Sequence, residues 1–163
     1  SGTLFSGTIR SNVKIGKDDA TDKEVIEALR IAQAMEFVND LDEGLDANIA
    51  QGGKNFSGGQ KQRLGIARAI VREPHMYIFD DSFSALDYKT DKLLRQELND
   101  KLPNATKFIV AQRIGTVIKA DKIVVIEKGK IACVGTHGEL LENCEIYKEI
   151  ALSQLSEEEI KHG

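Results

Sequence analysis

Four consecutive apolar residues, Met76-Tyr77-Ile78-Phe79, run directly into two carboxylates, Asp80 and Asp81. A short apolar run bounded by turn-forming residues predicts a buried strand, and here the acids fall at its C-terminal edge. Open α/β sheets bind ligands beyond the carboxyl ends of their strands, so this run constrains both the fold and the place of a site. A second apolar run, Lys107–Ala111, leads into Gln112 and also reads as a buried strand. It is parallel to the first if the helix expected between them, about Tyr88 to Leu102, is a crossover. That would set Gln112 at the same edge as Asp80 and Asp81; read alone, Gln112 is an ordinary strand end. Lys122–Glu127 and Lys130–Val134 flank Lys128-Gly129 and predict a hairpin.

Helix starts are marked by capping boxes at Thr21/Glu24, Ser57/Gln60 and Thr136/Glu139. After the first, Val25, Ala28, Leu29, Ala32 and Met35 place an apolar stripe on one face, and the acidic stretch Asp40–Leu45 ends it. The second box opens a helix to about Arg72, which Pro74 stops. The third leads into two short helices. Residues 1–20 read as an irregular, Gly/Ser-rich lead-in whose Ser-Gly-Thr start fits a cloning remnant, and Ser156–Gly163 as a polar tail. Helices ahead of alternating strands and helices give an α/β layout.

The length of 163 residues suits one domain, and 41% hydrophobic residues suffice for a buried core. With 22 basic and 26 acidic side chains the net charge is −4, which argues against a nucleic-acid partner held by counterion release. No apolar run approaches the roughly 20 residues of a membrane helix. Cys133 and Cys144 lack metal-type spacing and read as reduced, unpaired thiols filling the core of a soluble cytosolic protein.

Two stretches carry chemistry with two readings each. Ser57-Gly58-Gly59-Gln60 opens a helix, where unsatisfied backbone N–H groups and the macrodipole favour an anion. Glycines let a phosphate approach the backbone; the alternative is simply a capped helix after a Gly-rich turn. Each helical glycine costs about 1 kcal/mol relative to alanine, and Gly65 adds a third, so close backbone approach is expected there. Asp80 suits Mg²⁺, which takes one or two carboxylates plus substrate phosphates. The alternative is that Asp81-Ser82 begins a solvated turn.

The stretch Asn55–Arg63, NFSGGQKQR, resembles the signature motif of ATP-binding-cassette (ABC) proteins, and the resemblance runs over nearly the whole chain. MYIFDD resembles the Walker B strand, Ser84-Ala85-Leu86-Asp87 the D-loop, and Ala111-Gln112-Arg113 the switch-histidine loop. GKIACVGTHGELLENCEIYKEI is similar to the C-terminal end of a cassette, and Leu4–Arg10 to the segment after the Q-loop of exporters. Ile49–Gly53 occupies the place of their X-loop, although it lacks the charge common there. No G-x-x-x-x-G-K-S/T phosphate loop is present.

The resemblance implies a partial P-loop NTPase (RecA-like) core with the ABC helical subdomain. Residues 1–75 are the helical subdomain and 76–163 the C-terminal half of the nucleotide-binding core. It implies ATP and Mg²⁺ as ligands of an intact cassette, with neither bound tightly by this chain alone. Asp80 would hold the metal; Asp81 and Gln112 would be catalytic, Ser84 and Asp87 would communicate across a dimer, and Ser57, Gly58, Gly59 and Gln60 would face the partner's ATP. The family's glutamate is Asp81 here, which retracts the carboxylate by roughly 1 Å, a displacement that can cost on the order of a hundredfold in rate. Its histidine is Gln112, which does not carry positive charge. The resemblance therefore implies the degenerate half of a heterodimeric bacterial exporter at the cytoplasmic face of the inner membrane. Its partners would be a different ABC subunit and transmembrane coupling helices. The alternatives are a slow homodimer, a non-catalytic interaction module, or a soluble non-transport cassette.

Overall fold

The computed structural model describes residues 3–155; Ser1-Gly2 and the polar tail Ser156–Gly163 lie outside the described residues. Packing divides the chain into two compact units, residues 1–108 and 109–163.

In the first unit the lead-in is ordered structure rather than irregular chain. Strand β1 (Gly7–Thr8) runs into helix α1 (Ile9–Lys14) through a capping box in which Ser11 replaces the usual Glu or Gln. Buried Asn12 fixes this segment: its Nδ2 donates to the carbonyls of Phe5 (2.9 Å) and Thr8 (3.0 Å), and its Oδ1 accepts from Phe5 N–H at 2.9 Å. Helix α2 (Asp22–Ile31) starts at the expected Thr21/Glu24 box but stops before Met35. Ala34 N–H reaches back to Leu29 O (2.8 Å) and Gln33 N–H to Arg30 O (3.0 Å), with Gln33 at φ 57°, a left-handed helix end. Met35 instead begins a separate helix, α3 (Met35–Asn39).

Strand β2 (Asn48–Ile49) pairs antiparallel with β1, Gly7 opposite Ile49. The long helix α4 (Gly58–Ile70) follows and packs against α1 and α2. Its buried Leu64, Ile66, Ala67 and Ile70 meet the same core as Ile9, Val13, Val25 and Leu29. Full burial of each large side chain is worth about 1.5–3 kcal/mol. The close approach of α1 to α4 requires Gly16, where a Cβ would lie 2.1 Å from Arg68 O.

Strand β3 (Met76–Asp80), helix α5 (Tyr88–Lys101) and the first three residues of strand β4 (Thr106–Val110) complete this region, with β3 hydrogen-bonded to β4. The run expected to be wholly buried is buried on one face only. Tyr77 and Phe79 point inward and stack, ring centroids 5.9 Å apart, while Met76 and Ile78 are 53% and 70% exposed. In β4, likewise, Phe108 and Val110 are exposed. Two-residue periodicity reveals nothing when both faces are apolar, so the run alone did not separate them.

The second unit contains helix α6 (Ile114–Val117), the hairpin β5 (Ile123–Glu127)–β6 (Lys130–Gly135), helix α7 (His137–Asn143) and helix α8 (Glu145–Gln154). The hairpin turns on Lys128 (φ 49°) and Gly129 (φ 76°), as a tight two-residue connection requires. Its core joins Ile123, Val125, Leu140, Cys144, Tyr147 and Ala151. The cysteines are not unpaired thiols: Cys133 and Cys144 form a disulfide, Cα atoms 6.2 Å apart, linking β6 to the α7–α8 junction. Folding the hairpin back over that junction brings together two residues whose sequence spacing carried no pairing signal.

Candidate functional site

The start of α4 is the most specific site of the first unit. Ser57 Oγ accepts from Gln60 N–H (3.2 Å) and Gln60 Oε1 accepts from Ser57 N–H (2.8 Å), which satisfies the helix end reciprocally. The N–H groups of Gly58 and Gly59 have no acceptor among the described residues, and they head a helix of 13 residues. Backbone donors at a positive dipole end fit a phosphate-like anion. The glycines serve a second purpose as well. A Cβ on Gly59 would sit 3.0 Å from Ala85 O, and one on Gly58 3.5 Å from Ala85 Cβ. The backbone approach expected from the glycine cost is therefore met, at Gly59, by the chain's own Ser84–Asp87 loop.

That loop is held by Gln62, which lies within the NFSGGQKQR stretch but carried no role of its own there. Gln62 Oε1 accepts from Ala85 N–H (3.0 Å), while Nε2 donates to Ser84 Oγ (3.2 Å) and Asp81 O (3.3 Å). Ser84 Oγ donates to Asp81 O at 3.0 Å. Asp81 itself is at φ 49°, a left-handed conformation that aspartate tolerates better than most residues. Asp80 and Asp81 are both exposed at the end of β3. An exposed carboxylate at a strand end fits a hard cation whose other ligands are phosphate oxygens and water, and Asp80 is the residue that would hold Mg²⁺. Asp87 caps α5: its carboxylate accepts from Thr90 N–H (3.0 Å) and Thr90 Oγ1 (2.7 Å), and these bonds, the N–H foremost, hold its pKa below the ordinary range. In this structure it is committed to its own helix.

Asn55, the first residue of the same stretch, brackets the Ile49–Gly53 segment. Its Nδ2 donates to Asn48 O (2.8 Å) and its Oδ1 accepts from Ala50 N–H (3.0 Å), just ahead of Ser57. Arg63 donates to Gln33 O at 2.6 Å and lies 4.8 Å above the Phe37 ring, and burial pushes its pKa down. Both Gln62 and Asn55 stand in the motif stretch, but their partners are set by the fold and leave no spacing signal. Gln112 belongs to the second unit, exposed, its carbonyl accepting from Gln154 Nε2 at 3.0 Å.

A family model described as ABC transporter matches residues 3–84, just over half of the chain. An uncharacterised ABC transporter ATP-binding protein of Mycobacterium tuberculosis is 47% identical over 154 residues, covering 93% of this chain and 26% of the relative. An ATP-dependent lipid A-core flippase of Chromobacterium violaceum is 40% identical over 154 residues, covering 94% and 26%. The structure of a bacterial Atm1-family ABC exporter with ATP bound superposes with a TM-score of 0.90 at 33% identity, covering 96% of this chain and 27% of that one. The chain belongs to the ABC transporter family, and its fold is that of an exporter's nucleotide-binding domain. It spans about a quarter of the length of these relatives, 26% in the mycobacterial case. Among the described residues no helix is long and apolar enough to cross a membrane.

Proposed function

We propose that this chain is the signature-bearing part of an ATP-binding cassette in an exporter at the cytoplasmic face of a bacterial inner membrane. In such a subunit residues 1–75 serve as the helical subdomain and 76–163 as the later half of the nucleotide-binding core. One observation carries the reading: the unpartnered amides of Gly58 and Gly59 at the capped start of α4. They are directed to the phosphates of ATP bound by a second, different cassette, with Ser57 and Gln60 fixing the helix end. On this chain's own side Asp80 would hold Mg²⁺, which when bound would supply positive charge against the phosphates. Asp81 orients an attacking water from a carboxylate one methylene shorter than the family's glutamate. Gln112 donates a hydrogen bond to a terminal phosphate oxygen without bringing a positive charge. Both substitutions weaken hydrolysis at this site while leaving the contribution of Ser57–Gln60 to the partner intact. Ser84 and Asp87 face the dimer interface, and Ile49–Gly53 meets the transmembrane coupling helices.

The test is Asp81→Glu combined with Gln112→His in the full-length subunit with its partner. ATP turnover is expected to rise. Unchanged turnover removes these two positions as the limiting defect and with them the degenerate-site reading.

A second reading concerns the 163-residue chain alone: a folded, non-catalytic interaction module. It is favoured by the lack of any G-x-x-x-x-G-K-S/T motif in the sequence, since that loop supplies both a backbone cradle and a lysine. Calorimetry of this chain with Mg-ATP is expected to show no micromolar binding, and observing it would overturn the second reading.

A further inference from the structure

The segment carrying Gln112 is held from the far end of the second unit. Gln154, the last residue of α8, accepts from Ile114 N–H through Oε1 at 2.9 Å and donates through Nε2 to Gln112 O at 3.0 Å. One side-chain amide thus spans Arg113 and pairs with backbone groups on both sides of it. Ile114 opens α6, whose N-cap, Arg113, makes no side-chain capping bond. Gln154 therefore supplies from 40 residues away the acceptor that a local cap normally provides.

The post on which Gln154 stands is firmly seated. Tyr147 and Ala151 of α8 are 1% and 0% exposed, and Tyr147 Oη lies 2.8 Å from His137 Nδ1. The disulfide fixes Cys144, immediately before α8, to β6. The amide at the end of α8 is consequently presented from a rigid element, as positioning a neighbouring group requires.

We infer that Gln154 is a positioning residue for Gln112: by bracketing the backbone of Gln112 and Ile114 it sets where the Gln112 side chain stands relative to bound nucleotide. The inference rests on the proposed nucleotide-facing role of Gln112, but the bracket itself is testable without it.

The experiment compares Gln154→Ala, Gln154→Glu, Gln112→Ala and the double variant Gln154→Ala/Gln112→Ala in the full-length subunit with its partner. Hydrogen exchange at the Ile114 amide reads the bracket directly. Exchange is expected to accelerate at least tenfold in Gln154→Ala and to stay near wild type in Gln154→Glu, which keeps an acceptor for Ile114. Both variants lose the donor to Gln112 O, so kcat for ATP at this chain's own site, read with the partner's site inactivated, is expected to fall about threefold to tenfold in each, with KM within twofold. Gln154→Ala should cost nothing further in the Gln112→Ala background, because coupled residues are non-additive. Unaltered Ile114 exchange in Gln154→Ala overturns the inference, as does multiplication of the two kcat losses in the double variant. If Gln112→Ala leaves kcat unchanged, the nucleotide-facing role of Gln112 fails. The exchange result alone then decides whether Gln154 sets the position of this segment.

Discussion

Gln62 and Ala85 are joined by a hydrogen bond of 3.0 Å from the Ala85 N–H to the Gln62 side chain, which ties the signature helix to the loop after Asp81. The other end of the same amide contacts Ser84 Oγ and Asp81 O. Exposed hydrogen bonds contribute about 0.5–1.5 kcal/mol each. Gln62→Leu, which keeps the stem and removes the amide, is expected to lower stability in urea by about 1–2 kcal/mol. Gln62→Glu, which retains only the acceptor for Ala85, should lose less than Gln62→Leu. Equal losses in the two variants would mean that the Ala85 bond is not the anchor.

The glycines of the same loop contact give a paired prediction. Alanine gains up to about 1 kcal/mol over glycine in a helix. At Gly58 the added Cβ meets Ala85 Cβ at an ordinary 3.5 Å, so Gly58→Ala should be neutral or stabilising. At Gly59 it meets a backbone carbonyl at 3.0 Å, which has to shift. Gly59→Ala is expected to be less stable than Gly58→Ala by about 1–2 kcal/mol, the lower range of overpacking costs. Denaturant melts of the two variants check the order.

What the sequence disclosed follows the distance over which each feature is decided. The boxes at Thr21/Glu24, Ser57/Gln60 and Thr136/Glu139 form as read because each lies within one helical turn. The start of α1 carries no such signature because Ser11 performs the reciprocal bond that Glu or Gln usually makes. Asp80, Asp81, Ser57 and Gly58 stand on the elements expected of them, since motif residues sit at strand ends and helix starts. Gln62, however, binds partners 19 to 23 positions away, Gln154 binds partners 40 and 42 away, and Cys133 pairs with Cys144 only through the folding of a hairpin onto a helix corner. None of those juxtapositions has a local pattern to betray it.

Acid sensitivity is expected in the first unit. Lys17, together with the N–H and hydroxyl of Thr21, holds the Glu24 carboxyl at about 2, below its ordinary 4.5. A carboxyl with a depressed folded-state pKa contributes stability that is complete above the ordinary value and disappears as pH falls toward the folded one. The contribution is therefore lost between about 4.5 and about 2. Glu24→Gln is expected to flatten the stability profile in that window and leave the slope near neutrality unchanged. Because the pair is exposed to solvent, added salt should weaken the effect. Urea midpoints measured across this pH range test both statements.

The disulfide makes the second unit sensitive to reductant. A cross-link closing a loop of this size restricts the unfolded chain by an amount worth roughly 2–3 kcal/mol. Reduction is expected to destabilise the protein by about that much and to raise titratable thiols from none to two. Cys133→Ser should match the reduced protein and no longer respond to reductant.

Exposed apolar surface sets the behaviour of the isolated chain. In the first unit Met76, Ile78 and Phe108 are 53%, 70% and 55% exposed, on strands that are hydrogen-bonded neighbours. Exposed apolar side chains on neighbouring strands favour association. Light scattering of the 163-residue chain is expected to show concentration-dependent oligomers. Ile78→Lys, which places a charge in the middle of β3 on its open face, should shift the distribution to monomer without changing the unfolding free energy in urea by more than about 0.5 kcal/mol, as for a surface substitution. A monomer at all concentrations before substitution would show that this face does not self-associate. A loss of stability in Ile78→Lys beyond that range would show that Ile78 packs within the fold.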